Sequence, residues 1–262
     1  MTLSSENQVQ AIVGQLAGNL NPNTGTTFPK TVFPQEAAWQ AHVVDPEVGE
    51  RIAYDGCTGG YGCCYAAFYS IIGQMADQYG APYKDFPFHA MKAGRSGVGG
   101  WGTVCGALLG AAFAFGLFYE KKEHNELVRE LFHWHNTTPL PIFRPTANCK
   151  LDVDLPKSVI GTVLCSTSKA KWAYESGFKI KSKECSERCA RLTADVARKA
   201  IEILNAKITG TFVSTVTGKE ACLCESAHEE TPVSEDAVIQ KEQNSGSVIL
   251  VRQPEFKSRK SS

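Results

Sequence analysis

The chain has 262 residues, 27 basic against 27 acidic side chains, and 43% hydrophobic residues, enough to bury a sizeable core. The charge balance removes any overall electrostatic case for nucleic acid or an anionic membrane surface. Ten cysteines are the anomaly: Cys63–Cys64 and Cys222-x-Cys224 are too close for ordinary internal bridges, so reduced thiols, metal-bound where clustered, are expected. The opening MTLSSENQ has no apolar leader, which places the chain as written in the cytoplasm, or in the periplasm if a leader has been removed.

In chain order, Glu6 to Leu16 reads as a short amphipathic helix with Val9, Ile12, Val13 and Leu16 on one stripe, followed by an irregular Pro-, Gly- and Asn-rich arm. Asp45-Pro46 starts a second helix, DPEVGERIAY, by the logic of an N-cap followed by proline, with a stop near Gly56. From Cys57 a glycine-rich turn leads into a helix that ends at Gly80, and a proline-punctuated connection follows.

The stretch GVGGWGTVCGALLGAAFAFGLFY, Gly97 to Tyr119, has no charge and joins a glycine-rich approach to an apolar helix that starts at Cys105. Such a turn points backbone N–H groups one way, which suits an anionic ligand such as phosphate or a thiolate-bound cluster; Gly99, Gly100 and Gly102 are the donors this reading selects. Within the helix Gly106, Gly110 and Ala114 recur every four residues, leaving a bare face for another backbone. The run is long enough to span a membrane, but its small residues and the amphipathic EKKEHNELVREL behind it favour a buried helix.

Glu120 to Trp134 is a polar helix, and a four-proline loop carries Cys149. Ser158 to Tyr174 is ambiguous between strand and helix, while Ser182 to Asn205 is the clearest helix of the chain. Beyond it, ITGTFVSTVTG has strand propensity, and SGSVILVRQPEF suits a short strand before a disordered tail.

Chemistry resides in the cysteines as a collection. Cys57, Cys63, Cys64 and Cys105 come from two glycine-rich helix starts, and Cys185 and Cys189 share a helix face; with Cys165 they exceed the four thiolates a cluster needs, although no single spacing matches a zinc ribbon or a ferredoxin run. His42, His89, His124, His133 and His135 are read as structural or solvent-facing. Catalytic triads, Walker loops, Rossmann fingerprints and H-E-x-x-H are absent from the sequence.

GYGCCYAAF, GWGTVCGALLGAAFAFGL and ERCARLTADVARKAIEILN together resemble the redox-active family with the C-GCAxxG-C-C cysteine pattern, and within it the split-Soret cytochrome c branch, over about Asp45 to Asn205. The departures are Cys64 where alanine is usual and Ser166 where the cytochromes place histidine. The resemblance implies a mainly helical homodimer that exchanges electrons with a redox partner protein, its iron–sulfur centre held by Cys63 or Cys64, Cys105, Cys165 and Cys189. Because no C-x-x-C-H occurs in the chain, covalent haem is not expected, and noncovalent haem is the less favoured cofactor. Cys222, Cys224 and His228 stand where such a motif would fall, as a decayed attachment site, a small C-x-C-x3-H metal site or exposed polar residues.

The expected architecture is thus mainly α: an N-terminal helix and arm over 1–44, a multihelical cysteine-rich redox domain over 45–206 with irregular Gly/Pro-rich connections, and a small extended appendage over 207–262. Two other classes stay open, a thiol/disulfide oxidoreductase using Cys63–Cys64 or Cys185–Cys189, and a scaffold that has lost its cofactor.

Overall fold

The computed structural model describes residues 37–146 and 149–216. The helix read at Glu6–Leu16 and the group Cys222, Cys224 and His228 lie outside these residues. The architecture is mainly α, as expected.

Helix α1, Pro46–Thr58, is started by Asp45, whose carboxylate accepts from the N–H groups of Glu47 and Val48, with proline at the first position. It runs past Gly56, so Cys57 belongs to its last turn. After the glycine turn, α2 spans Cys63–Tyr79 and stops at Gly80, and two 3-10 turns, Tyr83–Asp85 and Phe88–Gly94, fill the proline-rich connection. Cys105 is the N-cap of α3, Gly106–Phe118. Helix α4, Lys121–Thr137, carries both His133 and His135.

The ambiguous SVIGTVLC stretch divides. Ser158–Val159 forms β2, antiparallel to β1, Pro139–Leu140; Gly161, at φ +68°, then turns the chain toward α5, Cys165–Ser176. The longest helix, α6, Lys183–Ile208, is capped by the Ser182 hydroxyl.

The strand expected over ITGTFVSTVTG does not form among the described residues: Ile208 is still helical and 211–216 have no strand. Local hydrogen bonds win there, because the N–H groups of Thr211 and Phe212 both return to the Ala206 carbonyl and Thr215 binds the Glu130 carboxylate.

Helix α6 lies at the centre, against α1, α2, α3 and α4. Leu192, Val196, Ile201 and Leu204 on it pack with Phe68, Ile71, Ile72 and Met75 of α2 and Leu108 and Phe115 of α3 in one core. The bare face of α3 is used as expected: a side chain at Gly110 would strike the Cys64 carbonyl, and one at Gly106 the Cys63 sulfur. Among the described residues no helix is long and apolar enough to cross a membrane.

Candidate metal centre

Three helix N-termini converge. Cys63 is the first residue of α2, Cys105 the N-cap of α3 and Cys165 the first residue of α5. A backbone bridge couples the last two: Val104 pairs with Leu164, the Cys105 N–H donates to the Val163 carbonyl (2.7 Å), and the Cys165 N–H to the Thr103 carbonyl (2.6 Å). Cys189 arrives from the second turn of α6. None of the three N-termini has a side-chain cap, in contrast to α1 and α6. At two of them N–H groups meet sulfur, those of Cys63 and Cys64 at the start of α2 and that of Ala107 at the start of α3.

For each of the six pairs among Cys63, Cys105, Cys165 and Cys189, charge on one thiolate raises the pKa of another, so all four lie within electrostatic range of one another. Among the described residues, no three His, Cys, Asp or Glu side chains are close enough to hold a single metal ion.

Burial is the largest cause of the shifts at four thiols: it pushes Cys57 and Cys64 up to about 12, Cys165 to about 11, and Cys105 higher still. Burial also raises Cys63, opposed by hydrogen bonds from the N–H groups of Ser96, Cys64 and Cys63 itself; the Ala107 N–H does the same for Cys105. Cys189 is the exception. A hydrogen bond from the Cys185 thiol, then the charges of Arg188 and Lys169, hold it below its ordinary value, while Cys185 is raised in return.

The structure separates the neighbours Cys63 and Cys64. The Cys63 sulfur faces Gly106, whereas that of Cys64, 1% exposed, packs against Gly94 near Leu109, and the thiol it senses is Cys63. Cys57 joins the group from α1, coupled to Cys63 and Cys189, with the Thr193 hydroxyl against its sulfur (3.8 Å). It lines a cleft of about 480 Å³ rimmed by Lys150, Lys181 and Lys183. A larger cleft of about 680 Å³, beside Tyr54, Phe143 and Arg198, has no thiol in its lining.

The glycine donors require correction. In the loop 96–102 the N–H groups of Gly99, Gly100 and Gly102 donate to the carbonyls of Ala93, Arg95 and Ser96, so they are spent on the loop and the turn just before it. Ser96 and Val98 adopt positive φ, 52° and 57°, a conformation that is strained for a β-branched residue and lets the loop close on itself. The N–H groups that do meet sulfur, those of Ser96, Cys64 and Ala107, sit at the loop start and at two helix N-termini. The helix starts were readable in the sequence; the Ser96 contact was not.

His124 bonds the Ala112 carbonyl and His42 stacks on Tyr79. His135 is fully buried, and burial pushes it down to about 4.

The family model "Putative redox-active protein (C_GCAxxG_C_C)" matches residues 63–203. The chain belongs to this family. Within the C_GCAxxG_C_C family it is 50% identical over 172 residues to the split-Soret cytochrome c of Desulfovibrio desulfuricans (strain ATCC 27774), a match covering 65% of this chain. The chain spans 62% of the length of that relative. A solved structure, described as a novel iron centre in the split-Soret cytochrome c from the same organism, superposes with a TM-score of 0.68 at 45% identity, covering 76% of this chain and 84% of that one.

Proposed function

We propose that the chain is an electron-transfer protein whose Cys63, Cys105, Cys165 and Cys189 hold an iron–sulfur centre, without covalent haem. The observation that carries the reading is that three of these thiols stand at uncapped helix N-termini, with Cys189 within electrostatic range of all three. The relative with a described iron centre supports iron as the metal. The absence of C-x-x-C-H throughout the sequence supports the exclusion of covalent haem.

The residues fit such a group by their chemistry. The donors are all soft thiolates in a buried pocket, and N–H groups and a buried guanidinium supply the positive environment that a thiolate shell needs. When bound, the cluster supplies one-electron chemistry. The protein's part is to stabilise thiolates that burial alone would keep protonated, to exclude water, and to set the electrostatic field around sulfur. Cys57, half-buried, lines the cleft beside this group.

The test is anaerobic purification with iron and acid-labile sulfide counts. Cys105→Ser is expected to remove the visible chromophore; iron and sulfide unchanged in that variant would refute the assignment. One observation favours a second reading, a thiol/disulfide oxidoreductase: Cys185 and Cys189, four residues apart on α6, are coupled, Cys189 being held low and Cys185 raised. Metal-free protein with a titratable Cys185–Cys189 disulfide would select it.

A further inference from the structure

Arg188 is 1% exposed, yet among the described residues no carboxylate forms an ion pair with it. Its guanidinium donates to the Ser168 hydroxyl (3.0 Å) and reaches the Cys189 sulfur (4.0 Å), and its buried Nε has no partner. Arg191, one turn along, shows what a satisfied buried arginine looks like in the same helix: it pairs with Glu187 at 2.8 Å and donates to the Leu151 and Val153 carbonyls. A cation taken out of water without an opposite charge is strongly unfavourable. The groups that could supply negative charge here are thiols, since Arg188 acts on Cys165, Cys185 and Cys189 together. Beside it His135, fully buried with its Nε2 unpartnered, adds no carboxylate.

We infer that Arg188 is the built-in counter-ion of the metal centre, a positioning residue that favours its more negative, reduced state. The inference rests on the iron–sulfur reading above. Uptake of one electron from a one-electron donor such as dithionite makes the pocket one unit more negative; no bond forms or breaks and no proton moves. A fixed positive charge at hydrogen-bond range of one ligand sulfur stabilises that product more than the oxidised pocket.

The experiment compares wild type with Arg188→Met, which keeps bulk and removes charge, Arg188→Lys, which keeps charge, and Ser168→Ala, which loosens the guanidinium. Each is purified anaerobically, counted for iron and sulfide, and titrated with dithionite against the visible spectrum. Thermal midpoints are read on iron-loaded and chelator-stripped protein. Arg188→Met should lower the reduced-to-oxidised ratio at fixed potential by at least about tenfold, about 59 mV for one electron. Arg188→Lys should restore most of that ratio, and Ser168→Ala should shift it in the same direction by less. Arg188→Met should also lower the midpoint of iron-loaded protein but not of stripped protein. Iron-loaded variants with unchanged potential, or a midpoint lowered equally in both forms, would overturn the inference and leave Arg188 a structural residue. Wild type without iron or sulfide would instead remove the iron–sulfur reading itself, and this inference with it.

Discussion

Cys63 and Cys64 are adjacent in the chain and opposite in surroundings. At the start of α2, successive side chains point about 100° apart, so one sulfur turns toward the other thiols and the next turns into the packing against Gly94 and Leu109. Replacing Cys64 by alanine, the residue usual in the family at this place, should therefore leave the iron content intact. The expected cost is a small cavity of about 1 kcal/mol. Cys63→Ala should lose the iron. Equal iron loss in both variants, measured on anaerobic preparations, would show that the neighbours share the role. The sequence could not separate the two, because a cysteine pair beside Gly62 looks the same whichever way the helix is rotated. Arg188 was equally silent there: a basic residue in an amphipathic helix reads as solvated surface until burial and the missing carboxylate are seen.

Helices place the thiols, and the contact between α2 and α3 is the one most sensitive to a single atom. Gly110 and Gly116 both lie in α3, but a Cβ at Gly110 meets the Cys64 carbonyl while one at Gly116 finds only the His124 ring at 3.7 Å. Helix propensity favours alanine over glycine by about 1 kcal/mol at both. Gly116→Ala should therefore stabilise by about 0.5–1 kcal/mol. Gly110→Ala should destabilise by about 1–3 kcal/mol, because backbone cannot step aside as a flexible side chain does. Chemical denaturation of the pair tests this, and a stabilised Gly110→Ala would mean that the helices are not in backbone contact. The four-residue repeat of small side chains made this contact legible in the sequence. The tie between α3 and α5 was not legible, since the bridge from Val104 to Leu164 joins segments sixty residues apart by backbone atoms alone.

Across the whole molecule, two buried groups titrate in opposite senses. His135 is held down to about 4 by burial, so the unfolded chain takes up a proton below its ordinary 6.5 while the folded one does not; stability gained this way is present above 6.5 and lost as pH falls toward 4. Asp195 is pushed by burial up to about 6 from 3.8, against the N–H groups of Ile142 and Phe143, so its contribution is present below 3.8 and lost as pH rises through 6. Each is worth about 3 kcal/mol over its window, and they nearly cancel. His135→Gln should uncover a stability that falls between pH 4 and 6, and Asp195→Asn one that rises between pH 4 and 6.5. Urea midpoints at several pH values read this directly; a wild-type profile that neither variant alters would contradict both assignments.

The sequence by itself determined the helical class, the helix starts at Asp45-Pro46, Cys63, Cys105 and Ser182, the bare face of α3 and the membership of a cysteine-patterned redox family. Those features are written in neighbours three or four residues apart: caps, glycine stops and apolar spacing. Tertiary structure alone decided which sulfur of a pair turns inward and that the N–H groups of Gly99, Gly100 and Gly102 are consumed by their own loop and the turn just before it. It also brought Cys57 and Ser96 to the thiols and left Arg188 buried without a carboxylate. Each of these depends on which atoms from remote segments meet once water is excluded, and a one-dimensional pattern carries no record of that.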